Sequence, residues 1–337
     1  MSQTTTSPGP TALEFVHLEL VHHDPVAAYE FLRDSLGAER VEKEIADYIS
    51  NTFGVVGEHV KVGNIVFQIF TPGPSLPSWH TQLHEHGPSV HNVTFFVNDV
   101  ETVKQRMLGK GATEIIDTHV LFHEIGLGDG PSRLLVMDAR EQTGLRFELC
   151  PTVPGWNPYP GRTDTTPPTN TDQPTAQALL HLEIVHPDPE AVFEFLSDCL
   201  GAERVEKEIS ANLEKAFGFG PILHAKVGNI VFQILKPPPT ILGQPTSWYE
   251  ELEERGPGVH NVTFYVDDVE AVKQRMVSMG ATALIDMDVP FHEFGMGEAP
   301  TRLLVMDARE QTGLRFEMVQ PIDGWTPYPT KPESTKN

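Results

Sequence analysis

The stretch Arg133-Leu-Leu-Val-Met-Asp-Ala-Arg-Glu-Gln-Thr-Gly-Leu-Arg-Phe-Glu148 recurs letter for letter as Arg302 to Glu317. Sixteen identical residues in a chain of 337 mark a duplicated unit, so any fold must be built twice on one plan. Each copy predicts a strand (Arg-Leu-Leu-Val-Met), a polar turn closed by Gly144 or Gly313, and a second strand ending in Glu148 or Glu317. In that last strand the period of two puts Arg146 and Glu148 on one face and Leu145, Phe147 and Leu149 on the other. The apolar face suits packing under a helix. The face carrying Arg and Glu needs water, a partner or a metal.

The rest of each unit follows the same duplication. In the first, Leu13 to Val21 alternates as a strand, with His17 and Glu19 on one face. Asp24-Pro25 starts a helix that Gly37 ends. Strands are expected at residues 40–45, 59–62 and 65–70, then a short polar helix at 79–85. The pattern restarts with a strand at 90–97, a helix at 99–108, and strands at 113–120, 133–137 and 145–149. Each unit therefore reads as βαβββ twice, an α+β class. Gly201 to Ile209 copies Gly37 to Ile45, Lys226 to Ile234 copies Lys61 to Ile69, and Val259 to Phe264 copies Val90 to Phe95. The expected boundaries are a first domain at 13–150, a Pro/Thr/Gly/Asp-rich linker at 151–176, and a second domain at 177–325 with a frayed tail after Trp325.

Charge limits the partners. A net −23 argues against nucleic acid and anionic membranes, and no stretch is apolar enough to span a bilayer. The polar first ten residues lack the apolar core of a signal peptide, and Cys150 and Cys199 form no disulfide framework. A reducing cytoplasm is the expected compartment.

Side chains with ligand chemistry fall inside the expected strands at matching places: His17, Gln68, His91 and Glu148 in the first unit, and His181, Gln233, His260 and Glu317 in the second. A lone strand His or Gln is usually a satisfied core polar group. Four in each unit, one per strand, form a set suited to zinc, nickel, cobalt, manganese or iron(II). No local spacing unites them; only a fold would.

Paired βαβββ modules with His, Gln, His and Glu in those strands resemble the vicinal oxygen chelate (glyoxalase/bleomycin-resistance) superfamily, over nearly the whole chain. The ligand order is most similar to the methylmalonyl-CoA epimerase branch. The resemblance implies four βαβββ modules forming two cup-shaped domains, with one divalent metal in each cup on the four residues named. Family members exchange modules between halves or chains, which leaves module pairing and a homodimer open. The implied substrate is a small molecule with vicinal oxygens, and the implied reaction an epimerisation that moves a proton α to a ketone through a metal-bound enediolate. The acidic balance and the lack of an obvious Lys/Arg cluster favour a cyclitol or sugar-like ketone over a CoA thioester, as in the 2-epi-5-epi-valiolone epimerases. Candidate bases are Glu44, Glu208, His59, His224, His123 and His292, or the ligands Glu148 and Glu317 themselves. The alternatives are an iron(II) extradiol-type dioxygenase and a metal-free resistance protein that only binds its ligand.

Overall fold

The computed structural model describes residues 11–158, 175–241, 244–294 and 296–322. The centre of the expected linker, the end of the second domain and the tail after Trp325 lie outside the described residues. The first half runs β1 (Ala12–Val21), α1 (Pro25–Leu36), β2 (Glu39–Arg40), α2 (Lys43–Phe53), β3 (Val56–Val62), β4 (Ile65–Thr71), α3 (Pro77–His86) and β5 (Ser89–Val97). It continues with α4 (Val100–Gly109), β6 (Thr113–Val120), a one-turn 3-10 helix at Phe122–Ile125, β7 (Ser132–Ala139), α5 (Arg140–Thr143) and β8 (Leu145–Cys150). The second half repeats this order with β9 (Ala176–Val185), α6 (Pro189–Leu200), β10 (Glu203–Val205), α7 (Lys207–Phe217), β11 (Ile222–Val227) and β12 (Ile230–Leu235). A small hairpin of β13 (Thr240–Ile241) and β14 (Gln244–Pro245) is added before α8 (Ser247–Arg255) and β15 (Gly258–Val266). Then come α9 (Val269–Ser278), β16 (Thr282–Val289), β17 (Thr301–Ala308), α10 (Arg309–Thr312) and β18 (Leu314–Val319).

Each half forms one eight-stranded mixed sheet, ordered β2-β3-β4-β1-β5-β8-β7-β6 and β10-β11-β12-β9-β15-β18-β17-β16. Two βαβββ modules thus join within a half, β1 against β5 and β9 against β15. The architecture is α+β, two tandem cup-shaped domains built from four βαβββ modules.

Sequence dictates the helix ends. Asp24 accepts from Ala27 N with Pro25 in the first turn, and Gly37 closes α1 at φ 68. The same devices recur at Asp188, Pro189 and Gly201 in α6. The strand expected at 40–45 is instead the two-residue β2 followed by α2. Ile45, Ala46, Ile49 and Phe53 recur at helical spacing and turn toward the core, and Gly54 caps the helix at φ 67.

A shared core lies between the two sheets. Ala28, Phe31 and Leu32 of α1, Met107 of α4, Phe195 of α6 and Met276 of α9 are buried in one cluster with Phe67, Phe95, Phe147, Phe232, Phe264 and Phe316 from the two sheets. Each fully buried Phe stabilises by about 1.5–3 kcal/mol. The copied Lys-Val-Gly-Asn-Ile hairpins join the halves: Asn64 Oδ1 accepts from Leu179 N at 2.8 Å, and Asn229 Oδ1 accepts from Phe15 N at 2.7 Å. The other face of each sheet curls into a cup, lined by a second cluster in each half to which α2 and α3, or α7, contribute.

Candidate active site

Strand register decides which side chains meet in a cup. Leu18 of β1 lies beside Phe67 of β4, Val93 of β5 beside Phe147 of β8, and Leu18 opposite Val93. The two modules are therefore matched with His17 on Asn92, Glu19 on Thr94, and Gln68 on Glu148. All six side chains are buried. His91 has no place in that match. It falls where the β1–β5 register slips between Glu19 and Leu20, so a bulge redirects it. Its ring stacks on Trp79 at 4.1 Å, its Nδ1 lies 3.1 Å from Glu19 Oε1, and it lines the space between the halves rather than the cup. His260 does the same against Trp248 and Glu183. The expected ligands His91 and His260 are thus supports for the carboxylates Glu19 and Glu183. The duplication preserved them, but the register turns them out of the ligand set.

In the first cup, His17, Glu19 and Glu148 bring one donor atom each within 4.8 Å of one another. His17 Nε2 lies 3.9 Å from Glu148 Oε1, and neither nitrogen of this buried ring has a hydrogen-bond partner. Burial, then the neighbouring His59, holds the His17 imidazole well below its ordinary pKa. Burial pushes Glu148 up to about 7. Glu19 is raised by burial and by Glu148, against a hydrogen bond from Trp79. Trp79 Nε1 and Asn92 Nδ2 both donate to Glu19 Oε1 at 2.5 Å. A buried imidazole without a hydrogen-bond partner, facing two buried carboxylates, is a donor set whose chemistry fits a divalent metal. Gln68 adjoins the set, being the register partner of Glu19.

A relay occupies the cup wall. The Gln68 amide donates to His59 Nε2 at 2.8 Å, which leaves the proton on Nδ1, 3.2 Å from Glu42 Oε2. Glu42 also accepts from Trp156 Nε1 at 3.0 Å. Glu42 and its counterpart Glu206 are the only non-glycine residues at positive φ among those described, 52° and 50°. Backbone strain of that kind costs about 1–3 kcal/mol and collects at functional positions. In the second cup, the Gln233 amide donates to His224 Nε2 at 2.9 Å, and Ser210 takes the place of the glutamate at 2.8 Å from Nδ1. His181 Nε2 lies 2.9 Å from Thr263 Oγ1. Burial raises Glu183 and Glu317 to about 8, and lowers His181 to about 3 and His224 to about 4.

The cups differ in what fills them. Residues expected to begin a linker fold back, and Trp156 enters the first cup, stacked on His17 at 6.4 Å and edge-on to Phe96 and Phe122. A cavity of about 40 Å³ remains there, against about 240 Å³ in the second cup. The second cavity holds His181, Glu183, His224, Gln233 and Glu317 under walls rich in Phe, Ile and Met.

Four of the expected bases are misplaced. Glu44 and Glu208 are exposed in the first turns of α2 and α7, not on strands, and His123 and His292 are exposed on one-turn helices. His59 and His224 are buried in the cups. Arg146 pairs with its ladder partner Asp138 at 3.3 Å and donates to Gln82. Glu19 and Glu183 carried a readable signal, two residues beyond a ligand histidine on the same strand face. Glu42, Glu206 and Trp156 carried none, because only the tertiary fold brings them in.

Residues 178–317 match the family model described as the Glyoxalase/Bleomycin resistance protein/Dioxygenase superfamily. No curated protein matches the chain. Among solved structures, the chain is similar to a mutant 4-hydroxymandelate synthase from Streptomyces coelicolor at 17% identity and TM-score 0.59, covering 92% of this chain and 93% of that one. It is also similar to the Mn(II)-bound glyoxalase from Novosphingobium aromaticivorans at 11% identity and TM-score 0.54, covering 93% and 84%. No helix among the described residues is long and apolar enough to cross a membrane. The second half is therefore similar to the Glyoxalase/Bleomycin resistance protein/Dioxygenase superfamily, and the first half repeats the strand order of its eight-stranded sheet.

Proposed function

We propose that the chain is a divalent-metal-dependent isomerase that moves a proton on the carbon beside a carbonyl of a small molecule bearing vicinal oxygens, with turnover in the second cup. The observation that carries this reading is the placing of His224 and Gln233, 2.9 Å apart, in the same cavity as His181 and Glu317. His181, Gln233 and Glu317, with Glu183, would hold the ion in the second cup, and His17, Gln68, Glu148 and Glu19 in the first. When bound, such an ion supplies Lewis acidity that makes a C–H next to a carbonyl easier to ionise.

The chain's own residues supply the rest. Trp248 Nε1 and Asn261 Nδ2 donate to Glu183 at 2.5 and 2.7 Å and fix its orientation. Ser210 Oγ accepts a hydrogen bond from Nδ1–H of His224 and donates to the Glu206 carbonyl at 3.2 Å, which keeps Nε2 the basic atom. His224 receives the substrate proton at Nε2, in exchange for its hydrogen bond from Gln233, and a second acid, for which the cavity offers Glu317, delivers a proton to the other face of the carbon. Buried Ile222, Leu235 and Val289 keep water from the inner end of the cavity during that exchange.

Those walls revise the substrate class. A polyhydroxylated cyclitol such as 2-epi-5-epi-valiolone would bury hydroxyls against Phe and Met, at about 1–3 kcal/mol for each left unpaired. The cavity favours a carbonyl compound with vicinal oxygens at one end and an apolar body at the other. Two buried free cysteines, Cys150 and Cys199, support a reducing cytoplasm.

The test is incubation of Mn(II)-, Zn(II)- or Fe(II)-loaded protein with hydrophobic α-hydroxyketones and acyl compounds in D₂O. Deuterium entering one carbon, and falling about 10²–10⁴-fold in His224→Gln, supports the isomerase. Uptake of O₂ with product oxidation would replace it with the dioxygenase, and ligand binding without metal or turnover would replace it with a sequestering protein.

A further inference from the structure

The acidic chain hides a cationic pocket on the seam between its halves. A cavity of about 140 Å³ is lined by Arg140, Arg146, Arg255, Arg309 and Arg315, drawn from both halves, with His86. None of these lies near the others in sequence except as copied pairs, which is why no Lys/Arg cluster is visible in the chain. The copied loops meet there closely. A Cβ on Gly144 would lie 2.6 Å from Gly258 N, and one on Gly313 would lie 2.6 Å from Ser89 N.

The wall of this cavity carries more arginine than carboxylate. In the second half Arg309 and Arg315 share two carboxylates: Asp307 contacts both, and Glu251 accepts from both. In the first half, Gln82 stands three residues after Trp79, where Glu251 stands three residues after Trp248. Arg140 and Arg146 therefore share Asp138 as their contacting carboxylate, with Glu19 also acting on Arg146. Arg255 stands where the first half has His86 and lies 3.9 Å from Glu251, a carboxylate already serving two arginines. Five guanidiniums thus line the cavity beside one lining carboxylate, Glu251, while Asp138 and Asp307 pair with them from outside the lining and Glu19, Glu183 and Glu254 act on Arg146, Arg315 and Arg309. Arg315 is 4% exposed, and its Nε lies buried without a hydrogen-bond partner.

We propose that this seam pocket is an oxyanion site that takes a small dianion of phosphate size, held by guanidinium forks from both halves. Planar guanidinium groups match two oxygens of such an ion, and partial burial strengthens each contact. The site is separate from both cups and does not depend on the reaction proposed for them. It touches them indirectly, since His91 and His260 line it and hold Glu19 and Glu183 at 3.1 Å.

The test is titration of the full-length protein with inorganic phosphate at low ionic strength, by calorimetry and ³¹P line width, with succinate and sulfate in parallel. Arg140 and Arg255 suit substitution, because their side chains are 47% and 40% exposed. Wild-type protein should bind about one phosphate per chain. Arg140→Gln combined with Arg255→Gln should weaken binding by at least about tenfold, as expected for loss of charge-assisted hydrogen bonds. The control is Arg33→Gln combined with Lys43→Gln, which makes the same net charge change on exposed positions elsewhere and should leave binding intact. Succinate binding as tightly as phosphate would assign the site to carboxylates within the same oxyanion chemistry. No saturable binding of any of the three anions by the wild type, or equal weakening in the control, would overturn the proposal.

Discussion

Removing the indole of Trp156 is expected to unlock the first cup at a measurable cost in stability. The side chain is 6% exposed, with ring centroids 5.3 Å from Phe122, 5.5 Å from Phe96 and 6.4 Å from His17. Its Nε1 donates to Glu42 at 3.0 Å. Truncating so buried a Trp costs about 3–5 kcal/mol, of which the bond to a carboxylate accounts for about 1.5–3. Trp156→Phe keeps most of the apolar body and should therefore cost only that latter part. At about 2–4 °C per kcal/mol for a unit of this size, Trp156→Ala should melt the first half roughly 6–20 °C earlier. Differential scanning calorimetry and urea unfolding followed by far-UV circular dichroism measure both variants. A loss under about 1 kcal/mol in Trp156→Ala would show that residues 153–156 do not plug the cup, and the contrast between a filled and an open cup would fall with it.

Further outcomes follow from the same geometry. Gly144→Ala places a Cβ 2.6 Å from backbone at φ 78, whereas Gly54→Ala at φ 67 meets nothing within 4 Å. Thermal melts should show about 1–2 kcal/mol lost in Gly54→Ala, from the left-handed backbone alone, and about 1–3 more in Gly144→Ala. The metal-free protein should be most stable near pH 6.5. Below that, unfolded histidines of ordinary pKa 6.5 bind protons that His181, His224 and His260, held at about 3 to 4, do not, so stability falls with acid. Above it, Glu183 and Glu317, raised from 4.5 to about 8, bind protons that the unfolded chain has already lost, so stability falls again toward pH 8. Saturating metal should abolish that second fall, and a flat melting profile from pH 6.5 to 8 in the metal-free protein would contradict the burial of those carboxylates. Glu42→Gly should relieve the strained backbone yet free the His59 ring, read by NMR as a mixture of imidazole tautomers in place of one.

Much of this was legible in the chain. The copied segments and the period of two located the strands and gave His17, Gln68 and Glu148 their common face, because strand periodicity is a local property. Other features depend on long-range register. The bulge opposite Glu19 turns His91 outward, and nothing in Val-His-Asn-Val reveals a slip that only the pairing strand creates. Arg40 to Ile45 read as a short strand, but Ile45, Ile49 and Phe53 set a helical spacing that only the longer window shows. That shift moved Glu44 to solvent and Glu42 into the cup. Trp156 lay in a segment of linker composition, and one indole buried by tertiary contact outweighed that composition. The arginine seam was invisible for a simpler reason: its members come from both halves and meet only when the halves dock.

The central claim is that side chains from separate strands converge on one divalent cation in each cup. Counting metal by inductively coupled plasma mass spectrometry, after loading with Mn(II) and exhaustive dialysis, tests it most directly. The account predicts two ions per chain, one in His17→Ala with Glu148→Gln, one in His181→Ala with Glu317→Gln, and none when the pairs are combined. Two ions retained in the combined variant, or none in the wild type, would contradict it.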